Sequence, residues 1–367
     1  MLCEGGSIMY RGTVLLLCLL ASCAARGRNP SIPEGIPKGR IIAVMRGVFD
    51  WQISHPVAVN NRPSNAWARS AMYAGAMAAY AATGDSVYLN RTLRWAADRA
   101  WKIGPNKRFA DDQCCAQAYL DVYVLMRDPV MIADTRQVLD EMVAHPRPGR
   151  EEWYWCDALF MAPPVFARMG SVTGEQSYRA LLHAMWWDTT EYLFDTGEGF
   201  YYRDKNFFAS RGPHGRKVFW SRGNGWVMGG LVGVLRSLPK DDPEYGRYME
   251  LFRTMAAAVK RAQGEDGLWR PSLLDPEEAP VPETSGSGFF CYALAWGINA
   301  GVLDRAAYLP AVQRAWGGLL GAVRPDGRLG WVQRIGLKPE AVGPDDNQEY
   351  GTGAFLLAGS EMIRLGR

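Results

Sequence analysis

The stretch Arg222–Leu235, "RGNGWVMGGLVGVL", opens on a cation, an asparagine and a tryptophan, then runs through small and apolar residues with no polar face. A helix of that kind has to be buried on every side. Five further segments share the pattern of a polar opening followed by an apolar run. They start at Asn65 ("NAWARSAMYAGAMAAYAATGD"), Asp112 ("DQCCAQAYLDVYVL"), Asp157 ("DALFMAPPVFARMGSVTG"), Ser285 ("SGSGFFCYALAWGINAG") and Tyr350 ("YGTGAFLLAGSEMI"). With Arg222 in its place, the intervals are 47, 45, 65, 63 and 65 residues, the mark of one supersecondary unit used repeatedly.

Helices of the opposite kind lie between them. Tyr248, Leu251, Phe252, Met255 and Val259 form one apolar stripe, and Val312, Ala315, Trp316, Leu319 and Val323 nearly repeat it. Six buried helices alternating with about six amphipathic ones predict an all-α fold, an (α/α)6 barrel or six-hairpin toroid. The segments "GFYYRDKNFF" and "LWRPSLLD" read as short β excursions or binding loops rather than helix.

In such a barrel every inner helix starts at the same end. The repeat openings therefore converge on one mouth: Asn65, Asp111 with Asp112, Asp157, Trp220 with Arg222, Ser285 and Tyr350. Aromatic rings with a few polar groups around a concavity suit a sugar or another polar ring.

The chain has 367 residues, 48% of them hydrophobic, with 14 tryptophans, enough for a large core. Its net charge of +3 is spread among mixed signs with no basic stripe, so nucleic acid is not an expected partner. Arg11, the apolar run "TVLLLCLL" and "ASC" read as an export signal over residues 1–23, too short to span a bilayer. "LASC" resembles a bacterial lipobox, which makes Cys23 a lipidation site and the protein a periplasmic or outer-membrane-anchored lipoprotein. Residues 24–40 read as a Pro/Gly tether, and residues 41–367 as the catalytic domain. Cys114, Cys115, Cys156 and Cys291 read as packing residues. No pair among the four histidines has metal-ligand spacing, and no nucleophile elbow, phosphate loop or dinucleotide fingerprint occurs, so no metal and no cofactor are expected.

Asp157 is the most informative carboxylate. In "EEWYWCDALFMAPP" it sits among Trp153, Trp155 and an apolar helix, where desolvation raises a carboxyl pKa and suits it to donate a proton near neutrality. The competing assignment is a helix N-cap. Asp112 occupies the matching point of the preceding repeat, and two carboxylates facing one cavity are the equipment of glycoside chemistry. Arg222 is a candidate anion clamp, with Gly223 and Gly225 allowing close approach of a ligand, or else a structural cation among packing glycines. Trp220 and Trp226 are candidate ring platforms for a sugar.

At "FWSRGNGW", taken with "ADDQCCAQAYLDVY", "WCDALFMAPP" and "PETSGSGFF", the chain resembles glycoside hydrolase family 105, the unsaturated rhamnogalacturonyl and related unsaturated glucuronyl hydrolases. The likeness runs from about Gly47 to Glu361. It implies an (α/α)6 barrel and a substrate oligosaccharide, left by a polysaccharide lyase, whose non-reducing end is a 4,5-unsaturated uronic acid. It also implies that Asp157 protonates C4 and then serves as base for water, with Asp112 as the second carboxylate. Trp220, Arg222, Asn224 and Trp226 would hold the uronate, with Asp111, Trp155 and Ser285 around it. Family members place a histidine between the catalytic aspartate and "RGNGW"; here "LFDTGEGFYYRDKNFF" stands in that region, and Tyr202 and Arg203 are the residues expected to take its contacts.

Two other readings fit the residues taken alone. One is an inverting glycosidase acting on a saturated glycan through Asp112 and Asp157, and the other is a glycan-binding lipoprotein without catalysis. A sugar epimerase or lyase is disfavoured by the scarcity of histidine.

Overall fold

The computed structural model describes residues 36–57 and 65–366. The export signal, the lipobox with Cys23 and most of the expected tether lie outside the described residues. The first helix begins at Lys38, so the last three residues assigned to the tether are already helical. Ile41, Met45, Val48 and Phe49 supply the buried stripe that anchors this helix, and its first turn extends upstream of them.

Twelve long helices follow one another among the described residues. They are α1 (Lys38–Ser54), α2 (Trp67–Thr83), α3 (Ser86–Asp98), α4 (Ala116–Met126), α5 (Val130–Ala144), α6 (Pro163–Thr173), α7 (Gln176–Leu193), α8 (Ser221–Ser237), α9 (Tyr245–Arg261), α10 (Thr284–Asn299), α11 (Arg305–Gly321) and α12 (Glu349–Leu365). The even-numbered helices form the inner ring. Each packs on the next, and α12 packs on α2, which closes the ring. The odd-numbered helices lie outside them, bound through one face, as the α9 stripe shows: Tyr248, Leu251, Phe252, Met255 and Val259 are all buried.

The inner helices are buried nearly all round. Every residue of α8 from Ser221 to Leu235 and of α10 from Thr284 to Ile298 is buried. Two of the six repeats are interrupted. The Asp112 run forms a single turn at Ala110–Gln113 before α4, and the Asp157 run forms one at Ala158–Met161 before α6. Pro163 and Pro164 account for the second break, because proline belongs in a helix's first turn, where no amide donor is required. The excursions are as short as expected: Phe194–Asp195 (β1) pairs antiparallel with Phe200–Tyr201 (β2), Asp195 opposite Phe200, and Trp220 bridges to Ser272.

Ring closure relies on backbone contact. Where α2 crosses α12, a Cβ added at Gly75 would collide with the Gly353 carbonyl, and one added at Gly353 would collide with the Ala71 carbonyl. Gly353→Ala should therefore lower stability by about 1–3 kcal/mol, although alanine is the better helix former. Thermal unfolding measures this, and an unchanged or higher Tm would mean that the crossing is looser than described.

Candidate active site

The inner helices start at one end, and their first turns touch. Trp67 of α2 stacks on Tyr350 of α12 with ring centroids 5.1 Å apart and meets Trp226 of α8 edge-on at 6.0 Å. The turns carrying Asp111 and Asp112, and following Asp157, also pack on one another. Helix N-termini gathered in this way give the mouth a positive potential that suits an anionic ligand.

Asp157 occupies the N-cap position of its turn, yet its side chain caps nothing. Its Oδ2 lies 3.6 Å from the Cys156 thiol, which donates to it, and 3.7 Å from Arg203 Nε. The residue is 9% exposed. Burial pushes its carboxyl above the usual carboxylate range, and the guanidinium groups of Arg203 and Arg222 oppose that shift without cancelling it. Burial, followed by the neighbouring Asp157, holds the Cys156 thiol far up its own range, so it remains a neutral donor. The site thus contains a carboxyl with its charged form disfavoured and no capping role in its helix turn.

The "RGNGW" residues are placed differently from the expectation of an open clamp. Arg222 is 1% exposed; Nη1 donates to the Gln333 carbonyl at 2.6 Å and the Tyr350 hydroxyl at 3.0 Å, and Nη2 donates to the Arg334 carbonyl at 3.0 Å. Its guanidinium lies 4.3 Å from the Trp220 ring and 4.9 Å from the Tyr350 ring. The loop of residues 333–334 folds over this cation and takes both of its terminal nitrogens, leaving Nε without a partner, and the Trp220 ring face is covered by the guanidinium. Trp220 Nε1 donates to Gln333 Oε1 at 2.8 Å, and Trp226 is buried among Trp67, Phe160, Phe289 and Tyr350. Asn224 fastens β2: it accepts from Tyr201 N–H at 2.8 Å and donates to the Tyr201 carbonyl at 3.0 Å. Gly223 faces Cys156 Sγ, and Gly225 faces Gly286 of α10; these glycines serve packing rather than ligand approach.

The other expected contacts divide likewise. Asp112 Oδ2 accepts from Asn106 N–H at 2.8 Å and lies against Gly104, securing that loop beside the mouth, and half-buried Asp111 stands next to it. Ser285 is buried, with its hydroxyl on Glu283 Oε1 at 2.5 Å. Tyr202 donates to Asp195 Oδ2 at 3.0 Å, a carboxylate it shares with Lys217. Trp155 is buried against Phe109 and Tyr154. Arg203 is the cation within ion-pair distance of Asp157, and its Nε makes no hydrogen bond. Sequence reasoning did not single out Gln333 or Glu283, which lie outside the six apolar runs. Glu283 Oε1 accepts from Gln333 N–H at 3.2 Å while Oε2 accepts from Gly286 N–H at 2.7 Å, so it joins the last long loop to the start of α10. "PET" ahead of "SGSGFF" was the available signal, an acidic residue before a helix start.

The described residues contain no cluster of three or more His, Cys, Asp or Glu side chains arranged to hold a metal ion.

Known proteins are similar in sequence and fold. The chain is 37% identical over 96% of its length, and 98% of the other protein, to an unsaturated 3S-rhamnoglycuronyl hydrolase of Formosa agariphila. Among solved structures, a glycosyl hydrolase family 88 protein from Bacteroides vulgatus superposes with a TM-score of 0.84 at 33% identity, covering 90% of this chain and 99% of that one. Another structure, described as a polysaccharide lyase, has a TM-score of 0.84 at 34% identity and covers 89% and 98%. The family resemblance read from the motifs is borne out under a family model that carries the number 88 and matches residues 44–366, and the chain belongs to glycosyl hydrolase family 88.

Proposed function

We propose that this protein is a glycosidase that removes a 4,5-unsaturated uronic acid from the non-reducing end of oligosaccharides produced by polysaccharide lyases. The observation that carries the reading is Asp157: a buried carboxyl with a raised pKa that caps no helix and faces a thiol and a guanidinium. The name and 37% identity of the Formosa agariphila relative support a substrate in which the unsaturated uronate is joined to rhamnose.

Asp157 gives its proton to C4, and positive charge develops at C5 and the ring oxygen. The Asp157 carboxylate then takes a proton from water as the oxygen bonds to C5. The resulting C5 hemiketal opens to a ketone, leaving C1 as a hemiacetal that expels the next sugar as an alcohol. The net change is addition of one water and cleavage of the glycosidic bond. Arg203, the convergent helix N-termini and the buried charge of Arg222 favour binding of the uronate, while Asp112 borders the site as the second carboxylate and Asp111 as a substrate contact. Proton transfer supplies about 10²–10⁴-fold, and positioning and electrostatic support supply the rest. The motif "TVLLLCLLASC" supports export and lipidation at Cys23.

The conjugated C=C–carboxylate absorbs in the ultraviolet, so decay of that absorbance on unsaturated oligosaccharides tests the reading. Asp157→Asn should lose about 10²-fold or more of kcat. Its Tm should not fall, because removing a buried acid with a raised pKa removes a cost the native state carries once pH exceeds the ordinary carboxyl range. A large fall in Tm would return Asp157 to a structural role. Turnover only on saturated glycans, or binding without turnover, would favour the other readings of the sequence.

The same acidity sets the pH dependence. Activity that needs protonated Asp157 should decline as pH rises through its raised pKa, giving a descending limb above the usual carboxylate range. The two arginines should separate by readout. Arg222→Lys leaves the 333–334 carbonyls short of donors and should cost about 1–3 kcal/mol in unfolding measurements. Arg203→Lys should chiefly raise KM with little change in Tm; equal destabilisation by both would mean that Arg203 is also a packing residue.

A further inference from the structure

Arg203 directly follows the Phe194–Tyr202 hairpin region, and its carbonyl accepts from Cys156 N–H at 2.8 Å, which pins it beside Asp157. Its side chain then divides. Nη1 donates to Asp204 Oδ2 at 2.5 Å, whereas Nε stands 3.7 Å from Asp157 Oδ2 and, although buried, makes no hydrogen bond. Asp204 is 5% exposed, and its Oδ1 accepts from Asn206 N–H at 2.8 Å, capping the single 3-10 turn Lys205–Phe207. One oxygen of Asp204 is thus committed to the backbone, and the other to Arg203.

We propose that Asp204 is a positioning residue: it draws the Arg203 guanidinium toward itself, leaving the cation near the site but only in a long ion pair, without a hydrogen bond, with the Asp157 carboxyl that must carry the proton. The inference rests on Asp157 acting as the acid in the proposed reaction.

A guanidinium bound to a carboxylate through two parallel hydrogen bonds holds it charged and depresses its pKa by about 1–3 units. Such a pair at Asp157 would leave no proton to donate near neutrality. At the observed separation the pull of Arg203 is weaker than the effect of burial, and the carboxyl remains above its ordinary range. The groups facing Asp157 are the Cys156 thiol, Arg203 and Arg222, with the Tyr350 hydroxyl also within electrostatic reach. Arg222 is held by carbonyls and the Tyr350 hydroxyl on other elements, so Arg203 is the cation whose distance can change. The same tether leaves Arg203 Nε as a buried, unsatisfied donor beside the Asp157 carboxyl.

Asp204→Asn tests this, because it keeps the Oδ1 cap and removes the charge; Asp204→Ser serves if the asparagine variant does not fold. The titration of Asp157 is read by difference infrared spectroscopy, its carboxyl band identified by loss in Asp157→Asn. The expected result is a downward shift of about one pH unit, matched by the descending limb of kcat/KM, with Tm unchanged. In an Arg203→Gln background the Asp204 substitution should produce no such shift. A shift of equal size there, or none with Arg203 present, overturns the proposal. The infrared measurement needs no substrate: a shift without turnover on any unsaturated oligosaccharide would remove the hydrolase reading alone, and turnover without a shift would remove the positioning role alone.

Discussion

A buried cation without a carboxylate partner organises the mouth of this barrel. Among the described residues, Arg222 has no acid within ion-pair distance; carbonyls of Gln333 and Arg334, the Tyr350 hydroxyl and two ring faces satisfy it instead. Stripping water from a guanidinium is expensive; acceptors on both terminal nitrogens and two π faces offset that cost, although Nε is left without a partner. The requirement is what draws the 333–334 loop over α8, holds Tyr350 against Trp67 and covers Trp220. It also keeps uncompensated positive charge near Asp157, which moderates the acidity change that burial imposes.

In the proposed reaction, two opposing demands meet at Asp157. A proton donor needs its charged form disfavoured, and an anionic substrate needs cations nearby, which favour that same charged form. The protein reconciles them by distance and commitment. One arginine is sealed beneath the aromatic rings and occupied with carbonyls; the other is turned toward Asp204. The neutral thiol of Cys156 supplies a weak donor where a stronger one would lower the pKa further.

Barrel closure and site geometry share elements. Gly75 and Gly353 let α2 and α12 touch backbone to backbone, which places Trp67 against Tyr350; Gly225 and Gly286 do the same for α8 and α10. Asn224, one turn beyond Trp220, fastens β2 to α8 and so positions Arg203 only two residues after Tyr201. Part of the "RGNGW" motif is thus scaffold for the site rather than its lining.

The barrel was legible from sequence because burial on all faces and burial on one face leave different periodicities, and these alternated along the whole chain. The burial and raised pKa of Asp157 were legible because a carboxylate amid tryptophans and an apolar helix has few ways of remaining solvated. What sequence left open was the direction in which each polar side chain of the mouth is spent. Arg222, Asn224 and Trp220 had the right chemistry for a sugar, yet their partners lie on segments as distant as Gln333 and Tyr201. Hydrogen-bond satisfaction of that kind is a long-range property, with no local spacing to announce it. Tertiary structure alone decided that Arg203, held by its neighbour Asp204, keeps its Nε unspent 3.7 Å from the Asp157 carboxyl.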